Sequence, residues 1–332
     1  MTASQAIGPR PGPRAVVPQR QLRDAIAAGD LELHYQPIID LTSGGITSYE
    51  ALLRLRSDSG MLLFPDDFLP AVAHTPVMHD ITGWVVAQAC AQAAVFAPVG
   101  VAINVAAVDV VRPTLVDLVG AAVERHGIAP DLITIELTEH AAVQGMEAAV
   151  GVLAQLRELG VHVSLDDFGT GYSSLLYLRD LPLTQVKIDR TFVAGIGRTE
   201  DDGAIVRSVI QLAHRVGLVV VAEGVEMSEQ LRFLRNAHCD RAQGYLLAMP
   251  APADEVPAGI DTSLIAAAAR RRRKPTRVRA ALPIDVREHI RELAGQGASL
   301  HTIAAVLNRE GHPTATGTRW TAATVARAMP DV

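Results

Sequence analysis

Eight short apolar or β-branched runs recur between residues 31 and 247. They are LELHYQPI (31–38), ITSYEALL (46–53), VGVAINV (99–105), LITIEL (132–137), VHVSLD (161–166), QVKID (185–189), LVVVAE (218–223) and RAQGYLL (241–247). Amphipathic, alanine-rich stretches lie between them, such as DITGWVVAQACAQAAVF (80–96) and MEAAVGVLAQLRELG (146–160), the latter closed by Gly160 as a C-cap. Strand alternating with helix at this spacing predicts an α/β fold, a TIM-type (β/α)8 barrel rather than an open doubly wound sheet. An open sheet would carry a glycine-rich phosphate turn after its first strand, and none is present.

In a barrel of this kind the strand C-termini meet at one face, which carries the chemistry. The polar residues fall there. Glu50 comes late in the second run, Asn104 and Glu136 end the third and fourth, and Asp166 with Asp167 ends the fifth. Lys187 and Asp189 end the sixth, Glu223 ends the seventh, and Gln243 lies in the eighth. Bare carboxylates so gathered would raise one another's pKa. Hard divalent cations remove the conflict, and oxygen donors suit Mg²⁺ or Mn²⁺ better than zinc. Adjacent aspartates also suit a two-metal site for phosphate-ester hydrolysis. Taken singly, each residue has a plainer role: Asp166–Asp167 as a helix cap, Lys187 as a snorkelling surface lysine, GTGYSS (169–174) as a turn with no lysine after it. Convergence at strand ends is what favours chemistry.

Charge is uneven along the chain. The net −6 divides into −13 over the first 269 residues and +7 from Arg270 onward. The junction DTSLIAAAARRRRKPTRVRAALP (261–283) reads as a basic linker. The expected organisation is a disordered leader over 1–20, a barrel over 21–256, a linker over 257–281 and a small helical domain over 282–332. The leader MTASQAIGPRPGPRAVVPQR has no apolar stretch of a secretory signal, and no run approaches membrane-span length. Cys90 and Cys239, without a CxxC, fit a reducing cytoplasm.

Seven motifs together resemble the EAL domains, bacterial phosphodiesterases that hydrolyse cyclic di-GMP. They are YQPIIDL (35–41), YEALLRL (49–55), IELTE (135–139), LDDFGTGYSSLLYLRDLP (165–182), KIDRTFV (187–193), AEGVE (222–226) and QGYLLAMP (243–250). The resemblance implies hydrolysis of one phosphodiester bond to give linear pGpG. It implies Glu50, Asn104, Glu136 and Asp166 as ligands of a first metal, and Asp167 as a ligand of a second with Asp166 bridging. Lys187 would orient water or phosphate, and Glu223 would act as general base or second-metal ligand. Arg54 would hold a substrate phosphate, Gln36 would lie beside a guanine, and Asp189 and Gln243 would complete the rim. Glu139 would anchor the loop 168–174, and homodimers would form through the barrel. The sequence departs from the family pattern at NVA (104–106), at His74 and in AMP (248–250), none of them a ligand position. The rival expectation is an idle barrel that senses cyclic di-GMP or docks a partner.

The tail predicts three short helices, Ile284–Ala294, one capped by Ser299 and running to Arg309, and one capped by Thr321 and running to Met329. Tight turns between them suit a helix-turn-helix module contacting duplex DNA. SLHTIAAVLNREGHPTATGTRWTAATVARAM (299–329) also resembles a piece of the large serine recombinases. Arg319 and Arg327, with Arg270–Lys274, would neutralise phosphates. The competing expectation is a protein-docking or dimerisation module with a solvated basic linker.

Overall fold

The computed structural model describes residues 19–57, 59–139, 146–169, 178–198, 200–259, 284–312, 314 and 319–329. The expected leader up to residue 18 and the basic tract 260–283 lie outside the described residues. The chain divides into two compact units, Met1–Arg270 and Arg271–Val332.

In the first unit, helix α1 (Gln19–Ala28) precedes β1 (Leu31–Asp40), β2 (Ile46–Arg56) and the two-residue β3 (Leu62–Leu63). Helices α2 (Pro65–Phe68) and α3 (Pro76–Phe96) lead to β4 (Gly100–Asn104), and α4 (Ala107–Val110) and α5 (Thr114–His126) lead to β5 (Ile133–Thr138). Then follow α6 (Met146–Glu158), β6 (His162–Phe168), β7 (Gln185–Ile188), α7 (Arg190–Gly195), α8 (Glu200–Arg215), β8 (Val219–Ala222), α9 (Ser228–Asn236), β9 (Arg241–Ala242) and β10 (Ala251–Pro252). Strands β1, β2 and β4 through β9 close into an eight-stranded barrel, with β3 and β10 paired outside it to β2 and β1. Every residue of β7 is buried, as expected of a parallel strand covered on both faces. The helix caps follow local chemistry: Pro76 opens α3, and Gly127 in the left-handed region closes α5.

One strand runs against expectation. β1 is antiparallel to both β2 and β9, so seven strands, not eight, point their C-termini at the same face. The cause is the connection. Only Leu41–Gly45 separates β1 from β2, too short for the crossover that parallel strands need. Asp40 fixes the turn, its Oδ1 accepting from the backbone of Thr42 at 3.0 Å and from the Ser43 hydroxyl at 2.8 Å. The eighth run also leaves the sheet earlier than expected, after Ala242.

The second unit contains α10 (Ile284–Gly295), α11 (Leu300–Arg309) and α12 (Ala322–Ala328). Ser299 and Thr321 accept from the backbone of Thr302 and Thr324, capping the last two. Val286, Ile290, Ile303, Leu307, Trp320 and Val325 form its buried cluster. Asn308 clamps Trp320 through both its backbone N–H and its carbonyl, each at 2.8 Å. No helix among the described residues is long and apolar enough to cross a membrane.

Candidate active site

Sheet register assembles most of the site before any side chain is considered. The antiparallel β1–β2 pairing sets Gln36 opposite Glu50, and the parallel β4–β5 pairing sets Asn104 beside Glu136. Between β6 and β7 the register slips. Leu165 pairs with Val186 and Phe168 with Ile188, so Asp166 and Asp167 together oppose the single residue Lys187. This is a β-bulge. Asp167 has φ of 56°, the left-handed region that non-glycine residues seldom occupy. In a regular strand two successive carboxylates would face opposite sides of the sheet. With the bulge, ligand atoms of Asp166, Asp167 and Glu223 all lie within 4.8 Å of one another. Gly169, at φ of 102°, completes the turn; a Cβ there would come within 2.8 Å of the Phe192 ring.

A second backbone device fixes Glu223 and Gln243. Val225 N–H donates to the Gln243 carbonyl at 3.0 Å, and Leu246 N–H donates to the Val225 carbonyl at 2.9 Å. Gly244 is what lets these segments approach, since a Cβ would sit 2.2 Å from the Val225 nitrogen.

The side chains then interlock. Gln243 donates to Glu50 Oε2 at 2.7 Å and to Gln36 Oε1 at 2.9 Å, while Asn104 donates to Glu50 Oε1 at 2.7 Å. Gln36 itself donates to the Ala248 carbonyl. The fully buried Lys187 ammonium lies 2.6 Å from Glu223, 2.8 Å from Glu136, 3.3 Å from Glu50 and 3.5 Å from Asp166. Of the expected residues, Glu50, Asn104, Glu136, Asp166, Asp167, Lys187, Glu223, Gln36 and Gln243 are thus drawn together. Asp189 is buried beside them and interacts with Asp167, but its carboxylate is also the N-cap of α7, accepting from the Thr191 backbone and hydroxyl. Glu139 is buried. Most of the loop expected to rest on it, residues 170–174, lies outside the described residues.

Arg54 is also buried, with a guanidinium N–H donating to the Leu53 carbonyl at 2.8 Å. Its Cζ sits 4.7 Å from the centroid of the Phe64 ring. No carboxylate among the described residues lies within ion-pair distance of it.

Four carboxylates around one ammonium leave an excess of buried negative charge. Burial raises Glu136 well above the usual carboxylate range and lifts Glu223 to about 8. Asp167 rises to about 6 through burial and the charges of Asp166 and Asp189. Lys187 also loses solvation, but the surrounding carboxylates outweigh that and hold it charged. Glu136 Oε1 is buried without a hydrogen-bond donor. An orphaned carboxylate oxygen, within an oxygen-rich donor set that is short of positive charge, fits a hard divalent cation.

An open cavity of about 210 Å³ leads to the cluster, lined by Gln36, Glu50, Asp166, Glu223 and Gln243. Arg190, Glu226 and Tyr245 line it as well. The sequence reading did not single out these three, although Tyr245 follows Gln243 by two positions and Glu226 ends the AEGVE motif.

Comparison with known proteins agrees with this geometry. The chain is 41% identical over 239 residues to cyclic di-GMP phosphodiesterase NbdA of Pseudomonas aeruginosa, a match covering 70% of this chain and 30% of that protein. It is 39% identical over 244 residues to the bifunctional diguanylate cyclase/cyclic di-GMP phosphodiesterase MucR of the same organism, covering 72% and 36%. The chain therefore spans about a third of the length of these two relatives. A solved structure of the PaMucR phosphodiesterase in complex with c-di-GMP superposes with a TM-score of 0.68 at 39% identity, covering 71% of this chain and 98% of that one. The family model described as the EAL domain matches residues 19–250, and the chain belongs to that family.

Proposed function

We propose that the barrel hydrolyses cyclic di-GMP to linear pGpG, with divalent cations, Mg²⁺ or Mn²⁺, held by Glu50, Asn104, Glu136, Asp166 and Asp167. The observation that carries this reading is the buried cluster of four carboxylates around Lys187, with Glu136 Oε1 left unpaired. The names of the relatives NbdA and MucR support the same substrate. Bound divalent cations supply Lewis acidity toward the phosphate and lower the pKa of water. The chain's own groups do the rest. Arg54, buried and without a carboxylate partner among the described residues, takes a phosphate oxygen of the dianionic substrate. Gln36 and Gln243 hold the rim. Lys187 Nζ orients water or phosphate against the carboxylates.

Hydrolysis adds water across one P–O3′ bond. The water oxygen forms the new P–O bond as the P–O3′ bond breaks, Glu223 takes the water proton and returns it to solvent, and the departing 3′-oxygen takes a proton from solvent water. Burial lifts Glu223 to about 8 without metal, and cations held beside it would draw that value back toward neutrality, where a carboxylate can serve as base. Homodimerisation through the barrel and a cytoplasmic location belong to the same proposal.

The 332-residue chain with Mn²⁺ and cyclic di-GMP is expected to yield pGpG by liquid chromatography, and Glu50→Ala to yield none. Binding by the wild type without pGpG would establish an idle sensor instead.

For the second unit we propose contact with duplex DNA by a helix-turn-helix module, as in the recombinase-like resemblance of 299–329. The charge balance from Arg270 onward, +7, supports it. Duplex affinity should fall steeply as salt rises. No binding at low salt would leave a protein-docking role.

A further inference from the structure

We propose that Phe64 is a positioning residue for substrate binding, its ring holding the Arg54 guanidinium where a substrate phosphate meets it. The inference rests on the reading of this cavity as a cyclic di-GMP site. Three observations lead to it.

Arg54 has little else to hold it. Its guanidinium has five N–H donors, yet among the described residues it makes one hydrogen bond, to the Leu53 carbonyl, and no ion pair. A buried cation without an anion is costly unless something else compensates it. Here the compensating contact is the Phe64 face, 4.7 Å from Cζ, and the negative face of an aromatic ring attracts a guanidinium. A ring over the face of a planar guanidinium leaves the in-plane N–H donors as the ones that can meet a phosphate.

Phe64 is itself fixed. It follows β3, which is zipped to β2 through Leu55–Leu63 and Arg56–Leu62 pairs, so Phe64 is carried by the strand pairing that also carries Arg54. As the N-cap of α2 its backbone N–H donates to Asp67 Oδ2 at 2.9 Å, and its carbonyl accepts from Asp67 N–H at 2.8 Å. Pro65 holds the preceding Phe64 in extended backbone, and fully buried Phe68 anchors the far end of the turn. The ring is therefore a preset wall, not a side chain that must be ordered when substrate arrives.

Arg54 also shares β2 with Glu50. Side chains alternate faces along a strand, so two residues four apart lie on the same face, and Glu50 lines the cavity.

The test is steady-state kinetics of the wild-type 332-residue chain, Phe64→Leu and Phe64→Tyr with Mn²⁺, alongside thermal melting. Phe64→Leu should raise KM for cyclic di-GMP roughly 5- to 20-fold with kcat unchanged. Phe64→Tyr, which keeps the ring, should retain the wild-type KM. In an Arg54→Ala background, Phe64→Leu should add nothing further. An unchanged KM in Phe64→Leu, KM and kcat moving together with a lowered Tm, or a Phe64→Tyr as impaired as Phe64→Leu would each overturn the inference. If the wild type binds cyclic di-GMP without hydrolysing it, the enzymatic reading fails alone, and the same fold-change is then expected in Kd. If the wild type neither binds nor hydrolyses it, both fail.

Discussion

Lys187 Nζ and Glu223 Oε1 lie 2.6 Å apart at the mouth of the barrel, and the lysine side chain is wholly buried. The same ammonium reaches Glu136, Glu50 and Asp166. It is therefore the one protein cation within ion-pair distance of these four carboxylates among the described residues. Replacing Lys187 with Met keeps the length of the side chain and removes the charge. In chelator, Lys187→Met should lose about 3–5 kcal/mol of stability, because it leaves the carboxylates facing one another in buried space. Added Mn²⁺ should restore more of the melting temperature in the variant than in the wild type. Thermal denaturation with and without metal checks this, and equal metal-induced shifts would contradict it.

A related expectation concerns pH. Glu223 rises from 4.5 to about 8 on folding, chiefly by burial. Such an acid binds more protons folded than unfolded, so the slope of unfolding free energy with pH is negative. Metal-free protein should lose stability as pH climbs through the interval from 4.5 to about 8, and Glu136 and Asp166, raised by the same burial, deepen the fall. Asp167, lifted from 3.8 to about 6, adds to the fall at the acidic end. Glu50 is shifted downward and opposes it only below its ordinary value. Saturating Mn²⁺ should flatten the profile. Melting curves in chelator that stay level across this range would refute the argument.

Much of this site is readable from the chain. Asn104, Glu136, Asp166 and Glu223 fall at the ends of apolar runs, and a barrel turns run-ends into one rim; Glu50 instead lies within β2, six residues before its end. What stays hidden is direction and register. β1 has the same alternating pattern whichever way its neighbour runs, and the hint lay only in the short Leu41–Gly45 connection. The bulge at Asp166–Asp167 leaves no trace in composition, because no glycine marks its left-handed residue. Lys187 reads from sequence as a strand-end lysine, and only cross-strand packing reveals its four partners. The Arg54–Phe64 contact depends on β3, whose two residues are too few to show a period.

The bulge makes its own prediction. Asp167 sits in the left-handed region, which Asn tolerates as well as Asp does. Asp167→Asn should therefore keep the backbone while removing a charge that burial, Asp166 and Asp189 disfavour. The variant should melt at or above the wild-type temperature at pH 7 in chelator and yet lose turnover by about 10- to 100-fold or more, the scale of losing a group that holds a metal. Asp167→Val, by contrast, should lose stability as well, since a β-branched residue resists this φ. Equal turnover in wild type and Asp167→Asn would remove Asp167 from the machinery.

The last expectation separates the two compact units. Trp320 is buried in the small cluster with Ile290, Ile303 and Leu307. Its indole N–H donates to the His312 carbonyl at 2.9 Å, and the Asn308 side chain accepts from its backbone N–H and donates to its backbone carbonyl. Truncation removes the largest side chain of a core with few members. Trp320→Ala should cost about 3–5 kcal/mol, a large share of what so small a core can supply. Limited proteolysis of the full chain should then cut between residues 284 and 329 while the barrel stays resistant. Cyclic di-GMP turnover should persist at the wild-type rate, because every group assigned to the reaction lies in the unit ending at Arg270. Loss of turnover in a variant whose barrel remains protease-resistant would show instead that the second unit controls the first.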